Sequence, residues 1–150
     1  MDENSGKPAP AQSGLEYLKH LINDWHGSAM AETMNMRLIA AEEGTATFEA
    51  FPSPKFYNPQ MRIHGGYAAT LLDSALGCAV QTRLPAGIGY GTIELKVNYV
   101  RKLHADVGRL LCIGTVLHAG RTMFTAEAKL VDEQGKLYAH GSGTFLVYPT

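Results

Sequence analysis

Residues 63–80 read IHGGYAATLLDSALGCAV. From Gly65 onward the apolar residues Tyr67, Ala68, Leu71, Leu72, Ala75, Leu76, Cys78, Ala79 and Val80 fall on nearly every side of a helix rather than along one stripe. A helix of that kind has to be covered by other structure over most of its surface. Ala68, Ala69, Ala75, Gly77 and Ala79 are small enough for the covering layer to come close. The segment opens on His64-Gly65-Gly66 and carries one carboxylate, Asp73, near its middle. An Asp inside a helix costs roughly 0.5 kcal/mol in propensity and more in desolvation, so it needs a compensating interaction or a task. The bland account of Asp73 is a buried structural acid bonded to Thr70, Ser74 or a backbone amide.

Strand-length patterns flank this helix, which is predicted over residues 65–83. Before it, MNMRLIAAEEG (34–44) and TATFEAFP (45–52) form a hairpin pattern with a tight turn at Glu43-Gly44. After it, LPAGIGYG (84–91) reads as a turn, followed by TIELKVNYV, RLLCIGTVLHAG, RTMFTAEAKLV and KLYAHGSGTFLVYP. The links between these runs are short, and a parallel crossover needs a dozen or more residues, so antiparallel neighbours are predicted. The fold class is α+β: an antiparallel sheet of about six strands curled around one long central helix.

Residues 1–12 are polar, rich in Pro and Gly, and without periodicity, which predicts a disordered tail ahead of one domain over residues 13–150. Ser13-Gly14-Leu15-Glu16 has the form of a capping box, and Leu15, Leu18, Ile22 and Trp25 follow at spacings of three and four. A short amphipathic N-terminal helix is predicted, packed on the domain body or on a neighbouring subunit. The chain has 150 residues, 45% hydrophobic and 18% charged, which suits one globular domain. Its net charge of -1 offers no basic face to a phosphate backbone, arguing against nucleic acid as a partner.

Cys78 and Cys112 sit in apolar runs without metal-ligand spacing, so free thiols in a reducing, cytoplasmic setting are expected. No apolar run reaches the roughly 20 residues of a membrane span, and the N-terminus lacks a basic and apolar leader. G-x-S-x-G, G-x-x-x-x-G-K-[ST] and H-E-x-x-H are absent, and GIGYG lacks the third spaced glycine and following helix of a dinucleotide site. Neither a metal nor a bound cofactor is expected.

The pattern Asn58-x5-His64-Gly65-Gly66-x6-Asp73, the strand TIELKVNYVRKLHADVG, the turn HAGRTMF and the closing GKLYAHGSGTFLV together resemble the HotDog fold, and within it the PaaI-like acyl-CoA thioesterases. The likeness runs from about Met34 to Tyr148. It implies an acyl-CoA substrate, Asp73 as general base or nucleophile, the Gly65 amide as oxyanion donor, and Asn58 placing the water or leaving group. A hydroxyl on the following strand corresponds to Thr92. Coenzyme A would run past Tyr99, Val100, Arg101, Lys102 and His104 and past His118, Gly120, Arg121 and Thr122, with His64 and Gly66 beside the thioester. The resemblance also implies a homodimer with shared active sites, often paired into a homotetramer.

Thioester hydrolysis needs an attacking oxygen, a donor for the developing oxyanion and an exit for the thiolate. Acid-base catalysis supplies about 10²–10⁴-fold. A helix N-terminus offers unpaired N–H groups and partial positive charge, and glycines there let a substrate approach the backbone. At 1.5 Å per residue, Gly65 and Asp73 lie about 12 Å apart along the axis, too far for one small carbonyl to touch both. A site using Asp73 from one protomer and Gly65 from the other removes that conflict.

Thr92 is the awkward member, because plain alternation sets it on the face of Glu94 and Lys96, away from Ile93, Leu95 and Val97. Tyr57, Met61, Tyr67 and Tyr90 are the residues open to an acyl-pocket role. Two alternatives remain: a non-catalytic acyl-CoA-binding or regulatory protein of the same fold, and a hydratase or dehydratase.

Overall fold

A computed structural model of the chain describes residues 12–25 and 27–150. The tail expected over residues 1–12 therefore lies outside the described residues, Gln12 excepted. The elements in order are α1 (Gly14–Asn23), α2 (Ala29–Thr33), β1 (Met36–Glu42), β2 (Thr45–Ala50), α3 (Gly65–Gln81), β3 (Ile88–Tyr99), β4 (Leu110–Ala119), β5 (Met123–Asp132) and β6 (Leu137–Pro149), with single 3₁₀ turns at Pro54–Phe56 and Ala105–Val107.

The strands form one sheet in the order β1-β2-β4-β5-β6-β3, every pair antiparallel. α3 packs against all six strands. Leu71, Leu72, Ala75, Leu76, Ala79 and Val80 are completely buried beneath it, as the all-round apolar pattern requires. Close approach is bought with glycine: a Cβ at Gly114 on β4 would collide with the Ala75 carbonyl of α3. The β1–β2 turn, where Gly44 takes φ +85°, is tied to the end of α3 by Gly44 N–H donating to Thr82 Oγ1 at 2.7 Å.

α1 begins as its sequence dictates. Ser13 Oγ accepts from Glu16 N–H at 3.2 Å while Ser13 N–H donates to Glu16 Oε2 at 3.1 Å, a reciprocal capping box. Gly14 N–H donates to the Leu84 carbonyl at 2.9 Å, and a side chain at Gly14 would collide with the Gln81 carbonyl. The N-terminal helix is thereby docked on the far end of α3, with Leu18 buried.

Three features depart from the sequence reading. α2 was not anticipated, although its Ser28 cap, accepting from Ala31 N–H at 3.2 Å, is a local signal of the same kind. Ile88-Gly89-Tyr90-Gly91 is not turn but the start of β3, where the glycines pair with Tyr148 and Leu146 of β6. Glycine breaks a strand only where nothing packs over it, and Tyr148 lies against Gly91 here. The link between β3 and β4 does not join neighbours: β3 crosses to pair with β6 and becomes an edge.

A Gly114→Ala substitution should destabilise the protein by about 1–3 kcal/mol through overpacking against α3. Urea denaturation followed by circular dichroism measures it.

Candidate active site

The first turn of α3 is capped by its own histidine. His64 Nδ1 accepts from Gly66 N–H at 2.8 Å, and the His64 carbonyl accepts from Tyr67 N–H at 3.0 Å. Nδ1 must be unprotonated to do this, which puts the ring proton on Nε2. Among the described residues Gly65 N–H has no acceptor, so the cap leaves this donor open. The Tyr99 hydroxyl donates to the Gly65 carbonyl at 2.8 Å, and its ring lies 3.1 Å from where a Cβ at Gly65 would be. Tyr99 thus pins the turn and leaves no room for a side chain there.

Asn58 organises the preceding loop. Its Oδ1 accepts from Gln60 N–H at 2.9 Å and from Arg62 N–H at 3.3 Å, leaving the Nδ2 donors for other use. Asn58, His64, Gly65, Tyr99, Val100, Arg101 and Lys102 line one open cavity of about 310 Å³.

Asp73 is half-buried, neither sealed in the core nor free in solvent. Its Oδ1 accepts from the Thr92 hydroxyl at 3.0 Å. Alternation would have turned Thr92 away, but the β3–β6 register shifts between Thr92 and Glu94, a bulge that resets the phase of the strand. Asp73 and Thr92 line a second cavity, of about 270 Å³, together with residues of α1, β1 and β2. The two cavities share no lining residue. Within one chain, the open amide and the carboxylate therefore face different spaces.

The remaining predicted residues divide. His104 is exposed at the start of the Ala105–Val107 turn, at the same end of the sheet as Arg101. His118 lies at the end of β4, and Gly120, Arg121 and Thr122 form the β4–β5 connection, where Gly120 N–H donates to the Met123 carbonyl and Val147 N–H to the Thr122 carbonyl, both at 2.9 Å. That end of β4 is roughly 30 Å from the other by strand rise, so one chain does not unite the two groups.

Of the four residues considered for an acyl pocket, only Tyr90 lines the Asp73 cavity. Tyr67 is buried against the Phe56 ring, 4.7 Å between centroids; Tyr57 accepts from Ala105 N–H at 3.2 Å; Met61 is exposed with φ 61°. The sequence reading missed Tyr17, Leu21, Trp25 and Cys78 as cavity walls, and only the amphipathic stripe of α1 hinted at them.

Burial, with a smaller contribution from the Asp73 charge, pushes the Cys78 thiol up to about 12, so it stays protonated. Burial likewise raises Tyr90, with Cys78 and Asp73 adding to the effect. Among the described residues no group of three His, Cys, Asp or Glu side chains gathers to hold a metal, and no helix is long and apolar enough to cross a membrane.

A family model, the thioesterase superfamily, matches residues 62–139, just over half of the chain and the whole stretch from the α3 cap to β6. The chain belongs to the thioesterase superfamily. A conserved protein of Pseudomonas aeruginosa has a similar structure, with TM-score 0.76 and 31% identity over 81% of this chain and 95% of that one. The PaaI protein of the Escherichia coli phenylacetic acid degradation operon shares the fold, with TM-score 0.76 and 21% identity over 88% of this chain and 94% of that one. By sequence, the chain is similar to the 1,4-dihydroxy-2-naphthoyl-CoA hydrolase of Listeria monocytogenes, 26% identical over 72% of this chain and 86% of that protein. The chain spans 60% to 86% of the length of the curated relatives it matches. The sheet wrapped on α3 is thus the HotDog fold that the motifs implied.

Replacing His64 by Ala removes the α3 cap and should cost about 1 kcal/mol, with His64→Asn recovering most of it. Equilibrium denaturation of the three proteins checks this.

Proposed function

We propose that the protein hydrolyses an acyl-CoA thioester to a carboxylic acid and coenzyme A, in a site that two protomers share. Asp73 of one protomer is the general base or nucleophile, and Gly65 of the partner subunit supplies the oxyanion donor. The observation that carries this reading is the separation of the two groups: an accessible carboxylate in one cavity and an open helix-terminal amide in another, on the same chain. The name of the Listeria relative, a CoA hydrolase, supports coenzyme A as the leaving group.

In the general-base form, Asp73 takes a proton from water as the water oxygen attacks the carbonyl carbon. The Gly65 N–H, at the positive end of α3, stabilises the oxyanion as it forms. Collapse breaks the C–S bond and releases a thiolate, a leaving group that needs no strong acid. The Thr92 hydroxyl holds Asp73 Oδ1 and so aims Oδ2. Asn58 Nδ2 is available to the water or to the leaving group.

A dimer is supported by β3. It is a 12-residue edge strand with Ile93 and Leu95 exposed at 56% and 36%, and such edges are normally covered. Met123 and Leu146, opposed on the outer face of β5 and β6 and exposed, offer a second apolar area for pairing dimers into a tetramer. Val100, Arg101, Lys102 and His104 at one end of the sheet, and His118, Gly120, Arg121 and Thr122 at the other, then contact coenzyme A from different protomers. Arg forks and Lys ammonium groups suit its phosphates. The free thiols Cys78 and Cys112 suit a reducing, cytoplasmic setting.

Asp73→Ala should lower kcat on the best acyl-CoA by about 10²–10⁴-fold, read with a thiol-trapping dye. Tight acyl-CoA binding with no turnover by the wild type would instead mark a binding protein. Gly65→Pro deletes the N–H at a position where helices accept proline; made together with Tyr99→Ala, which clears the ring its Cβ would meet, it should lower kcat by about 10²–10³-fold relative to Tyr99→Ala alone. Mixed and refolded one to one, these two inactive variants should regain about a quarter of wild-type activity, since half of the dimers are mixed and each holds one intact site. No recovery would refute a shared site.

A further inference from the structure

Asp132 is a buried acid that the hydrolytic reading leaves unused. It ends β5, and among the described residues it is the one carboxylate sunk into the protein, 8% exposed. Its Oδ1 accepts from Lys136 N–H at 2.9 Å and from Gln134 N–H at 3.0 Å, while Asp132 N–H donates to the Lys136 carbonyl at 3.1 Å. One side chain thus closes the β5–β6 turn from inside, and Gly135 at φ 82° completes it. Oδ2 accepts from the Tyr138 hydroxyl at 3.5 Å.

This turn carries the carbonyls that hold Arg101. Val131 pairs with Leu137 and Leu130 with Ala139, which leaves Tyr138 as the extra residue of a bulge. The Leu137 carbonyl accepts from Arg101 Nε at 3.3 Å, and the Tyr138 carbonyl accepts from Val100 N–H at 2.9 Å and from Arg101 N–H at 3.1 Å. Among the described residues no carboxylate forms an ion pair with Arg101. Its terminal nitrogens face the cavity that Asn58 and Gly65 also line with no acid to neutralise them. Burial raises the Tyr138 hydroxyl above its ordinary range, the Asp132 charge adds to this and Arg101 opposes it, so acid and guanidinium act on the same ring.

We propose that Asp132 is a positioning residue for coenzyme A: by closing the β5–β6 turn it fixes the bulge carbonyls that hold Arg101 ready for a phosphate. The inference rests on the acyl-CoA reading and deepens it by naming what sets the affinity for the phosphorylated part of the substrate.

A free arginine chain loses rotamer freedom when it meets a phosphate, and one already anchored loses less, so it binds more tightly with no added contact. With Nε–H engaged on Leu137, the terminal N–H groups are the ones left for the anion. The sign of the effect separates position from charge. A carboxylate near Arg101 opposes an approaching anion, so an Asp132 acting by charge alone would tighten binding when removed. An Asp132 acting by position loosens it when removed.

Binding is read by titration calorimetry with coenzyme A itself. Asp132→Ala should raise its Kd about threefold to tenfold, and Asp132→Asn should restore most of the loss, since Oδ1 still accepts from the turn amides and Nδ2 can donate to the Tyr138 hydroxyl. Arg101→Lys keeps the charge without the Nε anchor and should raise the Kd by a similar factor of about threefold or more. In that background Asp132→Ala should add less than about twofold, because both changes remove one anchor. In turnover, Asp132→Ala should raise KM for an acyl-CoA with kcat held within about twofold, and leave kcat/KM unchanged for the same acyl group on pantetheine, which has no phosphate.

Tighter coenzyme A binding by Asp132→Ala, multiplying losses in the double variant, or equal losses on the two thioesters would overturn the assignment. Wild-type affinity in Arg101→Lys would do so as well, and that reading stands even where Asp132→Ala does not fold. Asp132-dependent binding of coenzyme A without hydrolysis of any thioester would support the positioning role and refute the hydrolase. Hydrolysis of acyl-CoA with coenzyme A binding indifferent to Asp132 would do the reverse.

Discussion

α3 is apolar and buried over most of its circumference, with Thr70, Asp73, Ser74 and Gln81 on one half-buried strip, and covering it constrains the rest of the structure. All six strands touch it, its central leucines and alanines are fully buried, and glycine at position 114 lets β4 come against its backbone. The polar groups that escape coverage are therefore few and conspicuous. One is the Gly65 N–H, left over when His64 caps Gly66 and Tyr67. Another is Asp73, half-buried on the flank that β3 and the N-terminal helices only partly close and the one charged residue of the helix. Both belong to one rigid rod, so their separation cannot change without breaking the helix.

That rigidity makes association between protomers chemically meaningful. A helix cannot fold back to bring its first turn to its third; in the proposed shared site a second copy related by twofold symmetry presents its first turn to the third turn of the first. β3 is the element with the exposure to mediate such a contact: long, at the edge of the sheet, and apolar on residues that nothing among the described residues covers. The bulge after Thr92 serves the same end. It lets one strand hold Asp73 with its hydroxyl and still place Tyr99 against Gly65.

The N-terminal helices add a wall to this core. The capping box starts α1, and the contact of Gly14 with the end of α3 fixes where it lies. The cavity beside Asp73 owes its far wall to this docking.

Local chemistry made much of this legible from residues alone. The capping box at Ser13 and Glu16, the turn at Gly44 and the helix from Gly65 each depend on neighbours within a few positions, and each appears as read. The short links correctly implied antiparallel pairing, and the motif order identified the HotDog fold. Residues 88–91 misled because glycine at every second position reads as a break when the aromatic that covers it lies almost 60 residues away.

The Thr92–Asp73 hydrogen bond, the crossing of β3 to β6, the two separate cavities and the distance between residues 100–104 and 118–122 had no local trace. Each is set by sheet register or by packing of elements remote in sequence, and a shift of one residue in register reverses which side chains meet. Periodicity along a chain carries no record of that register.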